Sequence, residues 1–293
     1  LDDCLGGLFP QDLVLIGAAT GVGKTAIATQ AAQAGLNKGR RVYLFALEAE
    51  VGEVGARLYF TELGLRSKDT KLDYSGWLRG EYKHLDAQHH AAIIKTLTPN
   101  LERLHVLYKK RGDFTNRNLS QQLEAIAGQA EMIVLDHIHV IDTNGGEFTN
   151  DTQTKTIRLL RDCAFSGSVP VVVCSHLRKH QTGERTIMPD IDDLHGTSNL
   201  AKLAKQVILI SRDWESPWPT NTKVPTFMSI RKDRRGRGSH QIAKMHYNVN
   251  TGLYDTTYEL GRAVWKDRKH QWEVLPQEQI PHWATHEERV IPF

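Results

Sequence analysis

The stretch Gly17 to Thr25, GAATGVGKT, limits what this chain can fold into more than any other. It follows a short apolar run, Leu13 to Ile16, with the length and composition of a buried strand. It opens into AIATQAAQAGL, an alanine-rich segment suited to a packed helix. Strand, glycine-bearing turn and helix in that order bring backbone N–H groups and a helix N-terminus to bear on one point, which is how a polyphosphate is held. Gly21 and Gly23 permit the bend, and the expected cradle is Ala19, Thr20, Gly21, Val22, Gly23, Lys24, Thr25 and Ala26. Lys24 is expected to place its charge at the β- and γ-phosphate oxygens of a nucleoside triphosphate, and the Thr25 hydroxyl to ligate Mg²⁺. One position departs from the strict pattern: Ala18 stands where a glycine is usual.

With 293 residues, 40% of them hydrophobic and 24% charged, the chain can bury one large core or two small ones. No apolar run approaches the roughly 20 residues that span a membrane, and no signal-peptide pattern is present, so a membrane partner is not expected. Cys4, Cys163 and Cys174 are too scattered for a disulfide framework or a zinc pattern, which points to a reducing compartment such as the cytoplasm. The net charge of +3, from 37 basic and 34 acidic residues, is too balanced to mark a nucleic-acid binder, so any such surface must be local. Beginning at Leu1 rather than Met, the sequence reads as part of a longer chain.

Further apolar runs end in chemistry. VYLFAL at 42–47 reads as a strand covered on both faces and ends in Glu48. A carboxylate just past the carboxyl end of a strand beside the phosphate-loop strand sits where open α/β sheets bind ligands, placed to polarise an attacking water. Glu50 is its rival, although an acid there also suits the first turn of a helix. MIVLDHIHVI at 132–141 is a second such strand, ending in Asp136, which is expected to hold Mg²⁺ through a water. His137 and His139 alternate beyond it; with no Cys or carboxylate beside them in sequence, they read as packing at a strand end rather than as a metal site. VPVVVCSH at 169–176 is a third strand, whose terminal Ser175 and His176 can sense a γ-phosphate.

Between the strands, helices are expected at 51–63, 85–97 and 151–165, with another running from a cap at Asn118 to about Gly128. LHVLY at 104–108 reads as a strand, and 64–84 as loop with a short helix. Residues 177–192 form a long basic loop in which Arg178, Lys179, His180 and Arg185 can track a phosphate backbone. A turn, short helix and strand are expected over 193–210, and a strand with a strongly basic glycine loop over 226–240, carrying Arg231, Lys232, Arg234, Arg235 and Arg237. A hairpin follows, completed by 242–254. Beyond about Thr257 the pattern changes to a hairpin turning at Asp267 to Lys269 and an extended tail.

Together GAATGVGKT, FALE, IVLDHIHVI, CSHLRK with DDLHGTSNL, and IRKDRRG resemble the RecA-like motor of DnaB-type and of phage and mitochondrial replicative helicases. The resemblance covers about residues 1–256 and leaves 257–293 outside it. It implies an α/β fold: a RecA-like core with a mainly parallel sheet flanked by helices, here followed by a C-terminal β-hairpin and tail. It implies ATP and Mg²⁺ at each boundary of a ring, usually of six subunits, and single-stranded DNA in the channel, with a primase or loader as further partners. The compartment it implies is cytoplasm or nucleoid, a phage-infected cell, or the mitochondrial matrix. Carried over residue by residue, Lys24 and Thr25 hold phosphates and Mg²⁺, Glu48 is the catalytic base, Asp136 the second acidic residue, and His176 the sensor. Lys232 and Arg234 match a pair that reaches into the neighbour's ATP. The DNA-facing segment departs from the family: His195 stands where Arg is common, and Lys202 and Lys205 replace acidic or amide residues. Two alternatives stay open at this point, a RecA-, RadA- or KaiC-like ATPase that assembles without unwinding, and a nucleotide-gated structural ring.

Overall fold

The computed structural model describes residues 7–67, 72–109, 114–141, 150–178, 188–196, 198–212, 222–236, 240–254, 257–266 and 269–281. In chain order the elements are β1 (Leu13–Ala18), α1 (Lys24–Asn37), β2 (Val42–Ala46), α2 (Glu53–Ser67), α3 (Tyr74–Leu78), α4 (Lys83–Leu101), β3 (Leu104–Tyr108), α5 (Asn116–Ala125), β4 (Met132–Asp136), α6 (Asn150–Ser166), β5 (Val171–His176), α7 (Asn199–Leu203), β6 (Gln206–Arg212), β7 (Lys223–Asp233), β8 (Ile242–Asn248), β9 (Leu253–Tyr254), β10 (Glu259–Lys266) and β11 (Lys269–Val274).

The strands form one sheet in the order β11-β10-β8-β7-β6-β1-β5-β4-β2-β3, with β9 paired to β8. The six strands from β6 to β3 run parallel; β7, β8, β10 and β11 add an antiparallel extension. The continuous apolar runs of the parallel strands follow from cover on both faces. Successive side chains alternate between two cores: Val14, Ile16, Val42, Leu44, Val134 and Val172 pack under α1, α2 and α4, whereas Leu13, Leu15, Phe45, Ile133, Leu135 and Val173 pack under α5, α6 and α7.

The expected strands all form. Helix α2 runs to Ser67, past the expected end at residue 63, and α4 covers 83–101 where only 85–97 was expected. Asn118 is not the cap of α5. Thr115 is, and Asn118 is its partner three residues on: the Asn118 N–H donates to Thr115 Oγ1 (3.3 Å) and the Thr115 N–H to Asn118 Oδ1 (2.9 Å). The hairpin beyond 257 does not stand apart from the sheet; β10 pairs with β8 and continues it. No helix among the described residues is long and apolar enough to cross a membrane.

Candidate active site

Strand register assembles the site. Ala18 of β1 lies level with His176 of β5 and Ile210 of β6, and Ala46 of β2 lies level with Asp136 of β4. Parallel neighbours end together, so the residues just past their carboxyl ends gather around the loop after β1. In that loop Gly21 has φ 79° and Gly23 φ 104°, backbone that side chains rarely adopt. A Cβ on Gly23 would also stand 2.8 Å from Tyr254 Oη. Gly23 precedes α1 with no side-chain cap, so the first amides of the helix keep their donors for a ligand.

Lys24 Nζ donates to the carbonyls of Ala18 and Ala19, both at 3.2 Å, which folds the ammonium over the loop. Lys24 and Asp136 are 7% and 6% exposed. Burial pushes the Lys24 ammonium down, opposed by the charges of Asp136 and Glu48, and pushes the Asp136 carboxyl up, opposed by a hydrogen bond from Thr25 and by Lys24. Asp136 Oδ1 is buried with no hydrogen-bond partner among the described residues. An orphaned carboxylate oxygen beside a threonine hydroxyl and a lysine fits Mg²⁺ bound to a triphosphate, with Thr25 and Asp136 as the residues that would hold the ion.

Glu48 is half exposed, and its Oε2 lies 2.9 Å from His137 Nε2. Glu50 lies in the approach to α2, its amide bonded to the Glu53 carboxylate (3.1 Å). His137 and His139 are not simply packed at a strand end: carboxylate and imidazole partners absent from their sequence surroundings arrive from β2 and β5. His176 Nε2 is 2.9 Å from His137 Nε2, and the His139 ring lies 5.3 Å from that of His176 and 5.0 Å from that of His195. Burial first, then neighbouring positive charge, lowers His139 and His176 to about 3, so both rings are neutral near pH 7.

A family model for the DnaB-like helicase C-terminal domain matches residues 1–255. The chain belongs to this family. A probable plasmid replicative DNA helicase of Chlamydia muridarum (strain MoPn / Nigg) is 21% identical over 209 residues, 70% of this chain and 44% of the relative. The chain thus spans under half the length of that curated relative. A solved DnaB-like replicative helicase, described with its interactions with primase, superposes with a TM-score of 0.69 at 16% identity, over 85% of this chain and 58% of the other. A solved ATPase domain superposes with a TM-score of 0.65 at 18% identity, over 84% and 85%. At these identities the two structures establish the fold.

Within this DnaB-like domain, the residues expected to meet DNA divide into two groups. The 193–195 segment pairs back onto the end of β5: the Arg178 N–H donates to Asp193 O (2.7 Å) and the His195 N–H to His176 O (2.9 Å). Arg178 and His195 are therefore tied to the end of β5 beside His176. Lys202 lies in the last turn of α7 and Lys205 just beyond it, toward the opposite edge, where the Lys205 N–H meets Leu13 O and its ammonium lies 3.4 Å from Asp12. Lys179, His180, Arg185 and Arg237 lie outside the described residues.

Lys232 and Arg234 also sit at that opposite edge. Lys232 is level with Val207, and the Arg234 N–H donates to Lys205 O. Both side chains converge on the end of α7: Lys232 Nζ donates to Ala201 O (2.6 Å) and Lys202 O (3.1 Å), and Arg234 to Lys202 O (3.0 Å). Arg235 turns elsewhere, to Asp12 (2.9 Å), as its position one residue on predicts.

Four residues bordering the loop were not singled out from sequence. Arg212 donates to Val22 O (3.0 Å) and stacks over Tyr247 (4.5 Å), while Tyr254 donates to the same carbonyl (2.9 Å). Arg57, paired to Glu53 (2.7 Å), adds positive charge near Asp136. Arg212 ends β6, a neighbour of β1, so the strand-end rule that selects Glu48 and His176 also finds it.

Proposed function

We propose that this domain is the ATP-hydrolysing motor of a ring-forming replicative helicase that moves on single-stranded DNA. One observation carries the reading. Lys24, Thr25, Asp136, Glu48 and His176 meet at one edge of the sheet, while Lys232 and Arg234 lie at the other. By register Arg234 lies level with the start of β1, about five residues or roughly 17 Å from its end, and Lys232, level with Val207 and so with Leu15, about three residues or roughly 10 Å from it.

In this reading the loop amides and Lys24 bind the triphosphate, and Thr25 and Asp136 would hold a Mg²⁺ ion that would supply charge neutralisation for phosphoryl transfer. Glu48, oriented by His137, removes a proton from the attacking water. His176 faces the same space and is neutral near pH 7, so it hydrogen-bonds there without adding charge. Its backbone tie to His195 passes any shift of the sensor to the loop that carries Arg178, the segment expected to track DNA. Lys232 and Arg234 turn to the end of α7 rather than to the loop after β1; in this reading they serve a neighbour's ATP, which calls for a closed ring, expected to have six subunits. The departures at His195, Lys202 and Lys205 bear on DNA contact and leave the ATP site intact.

The test is strand displacement on a forked duplex, with ATPase rates taken with and without single-stranded DNA. DNA-stimulated hydrolysis with displacement is expected. Hydrolysis indifferent to DNA would refute the motor reading. Binding of single strands should weaken steeply with salt, and more so in the wild type than in an Arg178→Ala/Lys179→Ala variant, because fewer counterions are released once phosphate contacts are lost.

A further inference from the structure

The histidines at the carboxyl edge create a second convergence of donor atoms. His137 Nε2 stands 2.9 Å from Glu48 Oε2 and 2.9 Å from His176 Nε2, and ligand atoms of all three residues lie within 4.8 Å of one another. The His139 N–H donates to His137 Nδ1 (3.2 Å). With Nδ1 taking that bond, Nε2 is the ring nitrogen left to face Glu48 and His176. A carboxylate oxygen and two imidazole nitrogens thus meet at one point.

That donor set suits first-row divalent ions such as Zn²⁺, Co²⁺ and Ni²⁺ better than Mg²⁺, which prefers oxygen throughout. Neighbouring ligands around such an ion, each at about 2.1 Å, stand roughly 3–3.4 Å apart. Two of the three pairs are already near that spacing. Glu48 is half exposed and His176 only partly buried, so their side chains have room to close the third. His137, 3% exposed, is the fixed member. Outer support is in place: the His176 N–H faces His139 Nδ1 (3.4 Å), and His139 Nε2 meets the His195 carbonyl (3.2 Å).

We propose that Glu48, His137 and His176 form a binding site for a divalent transition-metal ion, separate from the Mg²⁺ position at Thr25 and Asp136, and that the ion stops ATP hydrolysis by engaging the Glu48 carboxylate. The site stands on the three donors alone. Inhibition rests on the reading of Glu48 as the base.

The test uses the whole chain, stripped of metal. Co²⁺ is followed by its visible absorption and Zn²⁺ by calorimetry, with ATPase measured at fixed Mg²⁺ and ATP. One equivalent of either ion is expected per chain. Glu48→Gln and His176→Asn, which leave the buried core untouched, should each weaken binding by more than the roughly 10–100-fold typical of losing an outer partner. His84→Asn/His89→Asn on α4 is the control for surface histidines and should bind as wild type. Zn²⁺ should inhibit ATPase, and a zinc-selective chelator should restore it. Binding no tighter than that of Glu48→Gln, or binding unchanged in both variants, overturns the site. If the ion binds through these residues and hydrolysis continues, the site stands and the inhibition fails, along with Glu48 as base. If no ion binds while Glu48→Gln is inactive, the site falls and the base remains.

Discussion

The two edges of the parallel strands hold their charges in different ways. At the carboxyl edge Lys24, Asp136 and His137 are almost wholly buried, and Asp136 keeps one oxygen without a partner among the described residues. At the amino edge Lys232 and Arg234 rest on backbone carbonyls of α7, with Arg234 exposed. The first arrangement is set to receive a charged ligand; the second is set to offer cations outward. The cations other than Lys24 near the loop are committed within the chain, Arg57 to Glu53 and Arg212 to the Val22 carbonyl. Transferring a phosphoryl group calls for more positive charge than Lys24 alone provides. On the reading proposed above, dividing the cations between two edges would make hydrolysis a property of two chains.

The most damaging change to that arrangement should be Arg234→Ala. Removing a finger that acts in trans should lower ATPase by about 10³–10⁵-fold, while nucleotide binding persists, since Lys24 is far away. Mixing this variant with Glu48→Gln subunits sharpens the comparison. Some boundaries in mixed rings, verified by mass, join an intact Glu48 to a donated Arg234, and partial recovery of ATPase is expected. Full activity in Arg234→Ala alone would show that the amino edge plays no part in hydrolysis.

At the carboxyl edge, Glu48→Gln should slow hydrolysis by about 10²–10⁴-fold, the usual worth of a general base, and leave ATP bound. The same trapped state from Glu50→Gln, with Glu48→Gln active, would move the base two residues on. Lys24→Ala should lose about 10²–10³-fold, the worth of one preorganised donor, and unlike the other two it should also lose nucleotide affinity. Equilibrium binding of a fluorescent ATP analogue sets Lys24→Ala apart from Arg234→Ala and Glu48→Gln.

The carboxyl edge was far more legible in sequence than the amino edge. A buried parallel strand is a continuous apolar run, and its end is marked by the first polar residue, so Glu48, Asp136 and His176 were visible one strand at a time. Their meeting follows from strand order, which periodicity does not encode. The histidine–carboxylate convergence was missed for this reason: Glu48, His137 and His176 come from three strands, and nothing near His137 in sequence predicts two partners. Arg212 was overlooked although it obeys the same strand-end rule. In the basic loop, the family resemblance picks out Lys232 and Arg234, two apart, and leaves Arg235 aside, but what each meets depends on α7 and on Asp12, distant in sequence. Asn118 reads as a cap because local sequence cannot tell a capping residue from its partner three positions on.

The smallest expected effect distinguishes two adjacent arginines. Asp12 is 2% exposed, and its carboxylate accepts from Arg235 (2.9 Å) and the Phe9 N–H (2.9 Å), with Lys205 at 3.4 Å. Arg235 also lies over the Phe9 ring at 4.3 Å. Its job is to hold the segment before β1 against the turn after β7. Because Arg235 is partly exposed and Asp12 keeps two other partners, Arg235→Ala should cost only about 1–2 kcal/mol of stability. At about 2–4 °C per kcal/mol for a chain of this size class, the midpoint of thermal unfolding should fall by several degrees. ATPase per folded chain should stay near wild type. Arg234→Ala should do the reverse, losing activity with an unchanged midpoint, since its side chain is exposed and bonded to a single carbonyl. Scanning calorimetry beside ATPase rates on both variants decides the matter. Equal loss of activity in the two would mean that the turn acts as a unit, and that the division between a structural arginine and a donated one is wrong.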